Sequence, residues 1–531
     1  LMIIHHLEMV KAVYTQEERT LINTKRNGWE AAEWAMLALL MLAFLLRVVA
    51  LDAQGLWADE MATVVISERD WAGVIKWVID DRVHPPLYYL LTSPWMALGR
   101  GEAWLRYPSA MWGVLATALG YALGKRLHGR RVGVTGAALL ALSPLLLWHS
   151  RDARMYAMLT ALTIGSSYFF VRLWDGARRR DWVGYVIFSL MAVYTHHFAV
   201  WIMLAQFVFI ALARRHYPQA LKAWTLGAGL VGMLYAPWIL TILSGEGLRR
   251  AGISWVPAAG LLDPLWTLFT FLLGHSADPF NPVFYLAFLP ALGLLAFAVI
   301  RFFGEREASL GYLLAWLFVP LAMVWIISLD WPLPEKRAIY MDRFMIGQMP
   351  AFLLLIAWGL ERLARWRRWA WAMGLALILV PTLFSVHGLY CDVRYWKEDW
   401  RGVITYIDEH SQGRDLLLIT PAQYHILYYY RPDVPWDEVP LFLGDDEKEA
   451  EVYLADEMPR KMAEIAARAD RMWYVVPTPV VNAHLFVYDR EAKARERVAA
   501  DAVKGWLDKH YSLSEDRQFP GVYLVCYRLK E

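Results

Sequence analysis

Apolar stretches of roughly twenty residues recur from residue 33 to about residue 390, with approximate centres at 42, 117, 140, 165, 190, 205, 232, 293, 318, 354 and 378. Each is long enough to cross a hydrocarbon core of about 30 Å as a helix. Such a chain has to satisfy its backbone inside lipid, and that leaves a bundle of spanning helices as the architecture. Composition agrees, since 58% of the 531 residues are hydrophobic and 28 are Trp, well beyond what a soluble domain carries. The first run, residues 33–51, follows Lys25 and Arg26, exceeds the core of a signal peptide and has no small-residue cleavage site after it. It therefore reads as a retained span behind a cytoplasmic N-terminal segment, residues 1–32.

The formal charge is only +2, so the basic footprint of a nucleic-acid binder is missing. The placement of the basic residues is more telling. "GKRLHGRR" at 124–131, "GARRRD" at 176–181, "ARRHYPQALK" at 213–222, "RFFGER" at 301–306 and "RLARWRRW" at 362–369 lie between alternate pairs of spans. By the positive-inside rule they mark the cytoplasmic face. Parity then requires that "HPPLYYLLTSPWMALG", residues 84–99, does not cross. It is short and proline-led, as expected of a re-entrant or interfacial helix on the outer side.

The consequence is one long external loop, residues 52–108, carrying "LWADE", "HPPLYY" and "RYPS". The other external segments are "HSRDARMY" at 149–156, "YTHHF" at 194–198, a piece around 244–282 and "DWPLPEKRAIYMDRF" at 330–344. The fold expected is a polytopic α-helical membrane protein of about eleven transmembrane helices plus external juxtamembrane helices, residues 33–391. After residue 391 the chain changes character. β-like runs at 415–420, 471–477 and 521–529 alternate with charged helical stretches at 448–469 and 489–508, which predicts a C-terminal soluble α/β domain, residues 392–531, on the outer side. Cys391 and Cys526 both fall there, and an oxidising compartment would permit a disulfide between them.

Charged groups at membrane depth are costly, so those beside the spans are the candidates for chemistry. Asp59 and Glu60 come first. On their own they read equally well as the acidic cap of the amphipathic helix that follows. The external face also gathers His84, Arg106, Arg151, Asp152, Arg154, His196, His197, Lys336, Arg337, Asp342 and Arg343. Cations around acids at the lipid–water boundary suit an anionic lipid substrate, because phosphate wants Arg or Lys donors and an acceptor hydroxyl wants a carboxylate base. For His84 the plain alternative is a turn before Pro85, for His196 and His197 a structural helix end, and for Arg151, Asp152 and Arg154 a local ion-pair network. The Trp content reads mainly as interfacial anchoring.

"LLRVVALDAQGLWADE", "HPPLYYLL", "WLRYPSAMWG", "SRDARMYAM", "YTHHFAVW" and "YMDRFMIGQMPAFLLLIAWGL", in this order, resemble the GT-C superfamily of polyprenyl-phosphate-sugar-dependent glycosyltransferases. The likeness is greatest to bacterial relatives of protein O-mannosyltransferase and of the lipid A aminoarabinose transferase. It extends over about residues 35–390. It implies that Asp59 acts as general base on the acceptor with Glu60 as its companion, that Asp152 is a second acid, and that Arg106 contacts the lipid-linked phosphate. Arg151 or Arg154, with His84, His196, Lys336, Arg337 and Arg343, would serve donor and phosphate. It further implies an inverting transfer from a polyprenyl-phosphate-linked monosaccharide to a protein, lipid or glycan acceptor, outside a bacterial or archaeal plasma membrane. No cofactor is required, no DxD-type metal motif is evident, and a divalent metal near Asp59 and Asp152 is compatible with it. The β-trefoil insertion of the eukaryotic protein mannosyltransferases is missing, which leaves the acceptor open. Also open are a polysaccharide polymerase or ligase of the same superfamily and a polytopic transporter of lipid-linked sugars, although no inverted repeat of the transporter kind is evident.

Overall fold

The computed structural model describes residues 31–81, 83–243, 256, 258–329, 338–420, 424–439, 452–477 and 501–530. Helices stand at all the expected centres: α1 (Ala31–Val48), α5 (Glu102–His128), α6 (Arg130–Leu142) running into α7 (Pro144–Ser150), α8 (Tyr156–Leu173), α9 (Arg179–Thr195), α10 (Ala199–Leu212), α11 (Pro218–Leu243), α13 (Tyr285–Glu305), α14 (Ala308–Ser328), α15 (Met349–Trp366) and α16 (Arg368–Cys391). Among the described residues, four helices are long and apolar enough to cross a membrane by length and composition, five if the bent α6–α7 pair is one span. The remainder fall short because some, such as α10, are brief and others, such as α15 with Glu361, Arg362 and Arg365, carry charge near one end. The chain is a multi-pass membrane protein with α8 and α15 at its centre, each lined with buried side chains along most of its length.

Between α1 and α5 the backbone forms three short helices, α2 (Ala58–Ser67), α3 (Trp71–Asp81) and α4 (Leu87–Met96). The amphipathic stretch after Asp59 is thus two helices instead of one. At ten residues, α4 has about half the length that spanning needs. A further short helix, α12 (Asp263–Leu273), precedes α13.

The α6–α7 pair bends by 57° at Ser143–Pro144. Pro144 has no N–H to offer the carbonyl four residues back, at Leu140. Arg47 of α1 supplies the missing donor: its Nη2 donates to the Leu140 oxygen at 3.3 Å and its Nη1 to that of Ala141 at 3.3 Å, while Nε reaches Ser150 Oγ at 3.1 Å. A fully buried guanidinium thereby re-satisfies a broken helix, as lipid requires. The bend brings residues 149–155 beside the start of α5, where Ser109 Oγ donates to the Arg154 carbonyl at 3.1 Å.

The C-terminal module is a five-stranded sheet of order β2-β1-β3-β5-β4, built from β1 (Asp415–Ile419), β2 (Trp436–Glu438), β3 (Arg471–Pro477), β4 (Tyr511–Phe519) and β5 (Val522–Leu529). β1 runs parallel to β2 and β3, and β5 is antiparallel to β3 and β4. α19 (Met458–Ala466) and residues 501–510 pack on one face. α17 (Trp400–His410) and α18 (Tyr424–Tyr430) pack on the other, in an apolar cluster that also contains Leu56, Met61 and Val64 from the loop and α2. Module and membrane bundle thus share a core. The disulfide left open by the sequence is not formed: Cys526 is buried on β5 and Cys391 is exposed at the end of α16, both as free thiols. The expected helix over 489–508 is described only from residue 501.

α5 and α6 form a hairpin whose turn is Gly129 at φ 93°, a conformation glycine adopts without strain. The helices nearly touch there: a Cβ on Gly133 would stand 2.9 Å from the Tyr121 oxygen and 2.9 Å from the Lys125 nitrogen. Small residues let membrane helices approach to this distance. Gly133→Ala is expected to cost about 1–3 kcal/mol, read as a lower thermal transition of purified protein in detergent. Gly232→Ala, where nothing lies within 4 Å, should leave the transition unchanged, and equal behaviour of the two would contradict the packing.

Candidate active site

Trp57, in extended conformation, ends the loop after α1 and caps α2. Glu60 sits three residues later and its Oε2 accepts the Trp57 backbone N–H at 3.4 Å, the acidic half of a capping box. The cap is therefore Trp57 with Glu60, and Asp59 is left to face the other way.

Glu60 is fully buried. Arg106, from the first turns of α5, grips it with two parallel bonds, Nε to Oε1 at 2.7 Å and Nη2 to Oε2 at 2.6 Å. The Ala153 N–H adds a third at 2.8 Å. Burial pushes this carboxyl up, but the charges of Arg106 and Lys397 outweigh burial and bring it to about 2. Arg106 also donates to the carbonyls of Leu51 (2.9 Å), Gln54 (2.6 Å) and Gly55 (2.7 Å). A guanidinium has five N–H groups. All five are spent on protein acceptors, which leaves none for the phosphate expected of Arg106.

Arg151 is turned in the same sense. It donates to the carbonyls of Val49 at 2.6 Å and Ala50 at 2.8 Å and stacks on Tyr390, its guanidinium carbon 4.6 Å from the ring centre. The expected donor contact is again replaced by a backbone contact, because the end of α1 leaves carbonyls without partners.

Asp152 is buried to the last per cent. Its Oδ1 accepts the Trp57 indole N–H at 2.9 Å and lies 3.2 Å from Lys397 Nζ. Its Oδ2 has no hydrogen-bond partner and lies 3.9 Å from His149 Nδ1. Burial drives the carboxyl up to about 6 against the pull of Lys397.

Asp59 differs from both other acids in being 31% exposed. Its Oδ2 is 3.2 Å from Arg343 Nη1 and 4.0 Å from Arg154 Nε. Burial pushes Asp59 up, and the charges of Arg154 and Arg343 more than reverse that, holding it below the ordinary carboxylate range. Arg154 donates through Nη1 to the Asp59 carbonyl (3.2 Å) and through Nη2 to His84 Nε2 (3.3 Å). With Nε2 accepting, the His84 proton belongs on Nδ1, 3.0 Å from Asp81 Oδ2. Burial and the Arg154 charge keep His84 below its ordinary value, hence neutral at pH 7. A line Asp81–His84–Arg154–Asp59–Arg343 results, with Arg154 buried at its middle and Asp59 its most solvent-accessible member.

Of the other expected residues, His196 closes the α9–α10 turn, its Nδ1 accepting the Phe198 N–H at 3.2 Å and its ring packed near Tyr156 and Phe344. It takes no part in the charge cluster. Lys336 and Arg337 lie outside the described residues. Lys397 was not anticipated. It follows the last membrane helix in "YWKEDW", and the only sequence signal was a lysine among aromatic residues in a segment read as the start of the soluble module.

Among the described residues no group of three His, Cys, Asp or Glu stands together as a metal site; Asp59 and Asp152 each face an Arg or Lys cation, and the Asp152 Oδ2 has no hydrogen-bond partner.

Residues 83–240 match a family described as dolichyl-phosphate-mannose-protein mannosyltransferase. The span includes Arg106, Asp152 and Arg154 but neither Asp59 nor Arg343. No protein of curated function matches the chain. Among solved structures, ArnT from Cupriavidus metallidurans in the apo state is similar at TM-score 0.59 and 15% identity, over 94% of this chain and 98% of that one. The same protein bound to undecaprenyl phosphate gives 0.56 at 14%, over 94% and 98%. The Archaeoglobus fulgidus oligosaccharyltransferase in complex with Zn and sulfate gives 0.53 at 13%, over 92% of this chain and 72% of that one. The chain thus shares its fold with these two membrane proteins, the architecture that the motifs suggested.

Removing one member of a buried ion pair strands the other, at about 3–5 kcal/mol. Arg106→Met is expected to lower the stability of the detergent-purified protein by at least that, since three carbonyls also lose their donor. Glu60→Gln keeps the shape and one acceptor oxygen, sets an NH2 donor against another donor, and leaves the three carbonyls their arginine, so it should cost less. Thermal unfolding followed by intrinsic fluorescence compares the two, and a wild-type transition for Arg106→Met would refute the clasp.

Proposed function

We propose that the protein is an inverting membrane glycosyltransferase that moves a sugar from a polyprenyl-phosphate-linked monosaccharide to an acceptor outside the membrane, with Asp59 as general base. The observation that carries this is the exposure of Asp59: of the three acids brought together, it alone has a carboxylate that reaches solvent while touching two guanidinium groups. The relatives' ligands support a lipid-phosphate donor. ArnT has been seen with undecaprenyl phosphate, and the archaeal enzyme AglB, at TM-score 0.50, with dolichol-phosphate and an inhibitory peptide.

The roles follow from which groups are free to change partners. Glu60 and Arg106 hold the loop, and Asp152 orients Trp57. Arg343, 17% exposed, is the cation a donor phosphate reaches first, with Arg154 and His84 behind it. The phosphate and the Asp59 carboxylate then compete for one guanidinium. As Arg343 turns to the phosphate, Asp59 loses an opposing charge, its proton affinity rises, and it becomes a better base when the donor is in place. The acceptor hydroxyl or amine gives its proton to Asp59 and attacks the anomeric carbon from the face opposite the phosphate. The bond from anomeric carbon to phosphate oxygen breaks, and the polyprenyl phosphate leaves as an anion stabilised by the same cations.

The likeness to an oligosaccharyltransferase supports a second reading within the same chemistry, a lipid-linked oligosaccharide donor. Purified protein incubated with radiolabelled polyprenyl-phosphate mannose, arabinose or glucose, or with a lipid-linked oligosaccharide, separates the two by which label reaches envelope material. A general base contributes about 10²–10⁴ in rate. Asp59→Asn should therefore lower kcat by that factor with an unchanged thermal transition, and transfer by this variant at the wild-type rate would rule out the assignment. Arg343→Gln should chiefly raise KM for the donor.

A further inference from the structure

Lys397 belongs to neither the membrane bundle nor the sheet of the C-terminal module; it lies in the connection between α16 and α17. Its Nζ enters the base of the site, 3.2 Å from Asp152 Oδ1, 3.8 Å from Glu60 Oε1 and 3.1 Å from the Arg151 carbonyl, where it donates a hydrogen bond. It also sits 5.8 Å from the ring centre of Trp57 and 5.7 Å from that of Trp148, within cation–π range. The side chain is 6% exposed. Desolvating an ammonium this far is expensive unless its partners are charged, so the carboxylates and the lysine require one another.

The module around Lys397 grips the loop that carries Asp59. Arg401 of α17 donates to the carbonyls of Asp52 and Ala53, both at 3.1 Å, and bonds Glu102 Oε2 at 2.6 Å. The Tyr430 hydroxyl of α18 accepts the Leu56 N–H at 2.6 Å and donates to Glu102 Oε1 at 2.9 Å. The Lys397 N–H itself donates to Gln54 Oε1 at 3.1 Å. These contacts seat the connection so that Nζ arrives at Asp152.

From this geometry we infer that Lys397 is a positioning residue for the transfer reaction: it keeps Asp152 ionised so that Asp152 holds the Trp57 indole, and with it the turn bearing Asp59, in place. The inference rests on the glycosyltransferase reading of the site. It makes docking of the soluble module a condition for catalysis, since module and lysine arrive together.

The groups facing Asp152 set the expected pH behaviour. Lys397, Arg154 and Arg106 favour the carboxylate; Glu60 and the desolvation favour the acid. Trp57 donates to it, His149 lies 3.9 Å from its free oxygen, and the Tyr88 and Tyr156 hydroxyls, neutral at pH 7, complete the surroundings. Burial holds the Asp152 carboxyl above the ordinary carboxylate range against the pull of Lys397. As pH falls it takes a proton before an ordinary carboxylate would, and its hold on Lys397 and Trp57 weakens.

The test uses the full chain in detergent or nanodiscs. Infrared difference spectroscopy without donor follows the protonated-carboxyl band that is lost in Asp152→Asn. In Lys397→Met the midpoint of this band is expected to rise by about 1–3 pH units. The acidic limb of kcat should rise with it by the same roughly 1–3 pH units, so that kcat at neutral pH falls by about twofold for the smallest shift and up to about a hundredfold for the largest, while KM for the donor changes little. Lys397→Arg keeps a cation in place and should restore the midpoint, whereas Lys504→Met, on an exposed helix of the module, should change nothing. A midpoint that stays put in Lys397→Met overturns the inference whether or not sugar transfer is observed. A midpoint that moves, with the kcat limb unmoved, overturns the catalytic half of it. A midpoint that moves in protein unable to transfer any of the sugars overturns the transfer reading and leaves the Lys397–Asp152 linkage standing.

Discussion

Seven consecutive carbonyls, those of residues 49 to 55, are each held by a guanidinium. Arg151 takes Val49 and Ala50, Arg106 takes Leu51, Gln54 and Gly55, and Arg401 takes Asp52 and Ala53. The reason lies in where this backbone is. α1 ends at Val48, and the chain turns back at the membrane surface with neither helix nor sheet to satisfy its oxygens. Leu51 and Gly55 are buried, and buried backbone acceptors left unpaired are costly. An arginine fork, always charged and rich in donors, can take two or three carbonyls at once. Fixing one residue's backbone costs about 1–2 kcal/mol of entropy, so the three arginines oppose a sizeable penalty in keeping this turn ordered. The three come from the segment after α7, the start of α5 and the C-terminal module, so the turn forms only when all three are in place.

What the turn presents is the pair at 59 and 60, and the two acids have opposite fates because α2 rotates them apart. Glu60, at the third helical position, points back to the cap and into Arg106. Asp59 points along the opening toward Arg154 and Arg343. One carboxylate is thus consumed by structure and its neighbour is kept for change. The same division runs through the cations. Arg47, Arg106 and Arg151 are committed to carbonyls and to Glu60, whereas Arg154 and Arg343 meet side chains that titrate or move.

Much of this was legible in the sequence, and the parts that were not share a cause. The helix positions were readable because apolar length is a local property, and helices stand at all the expected centres. The "DE" pair after a membrane helix was readable because acids are rare there. Which arginine does what was not, because a guanidinium's partners are set by tertiary approach: nothing in "SRDARMY" says that Arg151 turns to α1 while Arg154 turns to Asp59. Lys397 was hidden by its position in a segment whose composition reads as soluble. β4 was hidden for a related reason: "SLSEDRQ" is largely exposed and gives no apolar pattern. The paired thiols were plausible only while their distance was unknown.

The ranking of the ion pairs by burial bears on how such a site works. Arg106–Glu60 at 2% and 0% exposure sits in low dielectric with every donor satisfied, so an arriving anion gains nothing by attacking it. Arg343–Asp59 at 17% and 31% is partly solvated, its contact is a longer 3.2 Å, and solvent screening lowers what such a pair contributes. A phosphate carries the charge to replace Asp59 in that pair at little cost. The fold therefore decides in advance which bond yields to a substrate, and the one that yields frees the carboxylate the proposed chemistry needs. Arginines placed the other way round, with the weak pair beneath and the clasp on top, would let the same phosphate pull the loop apart.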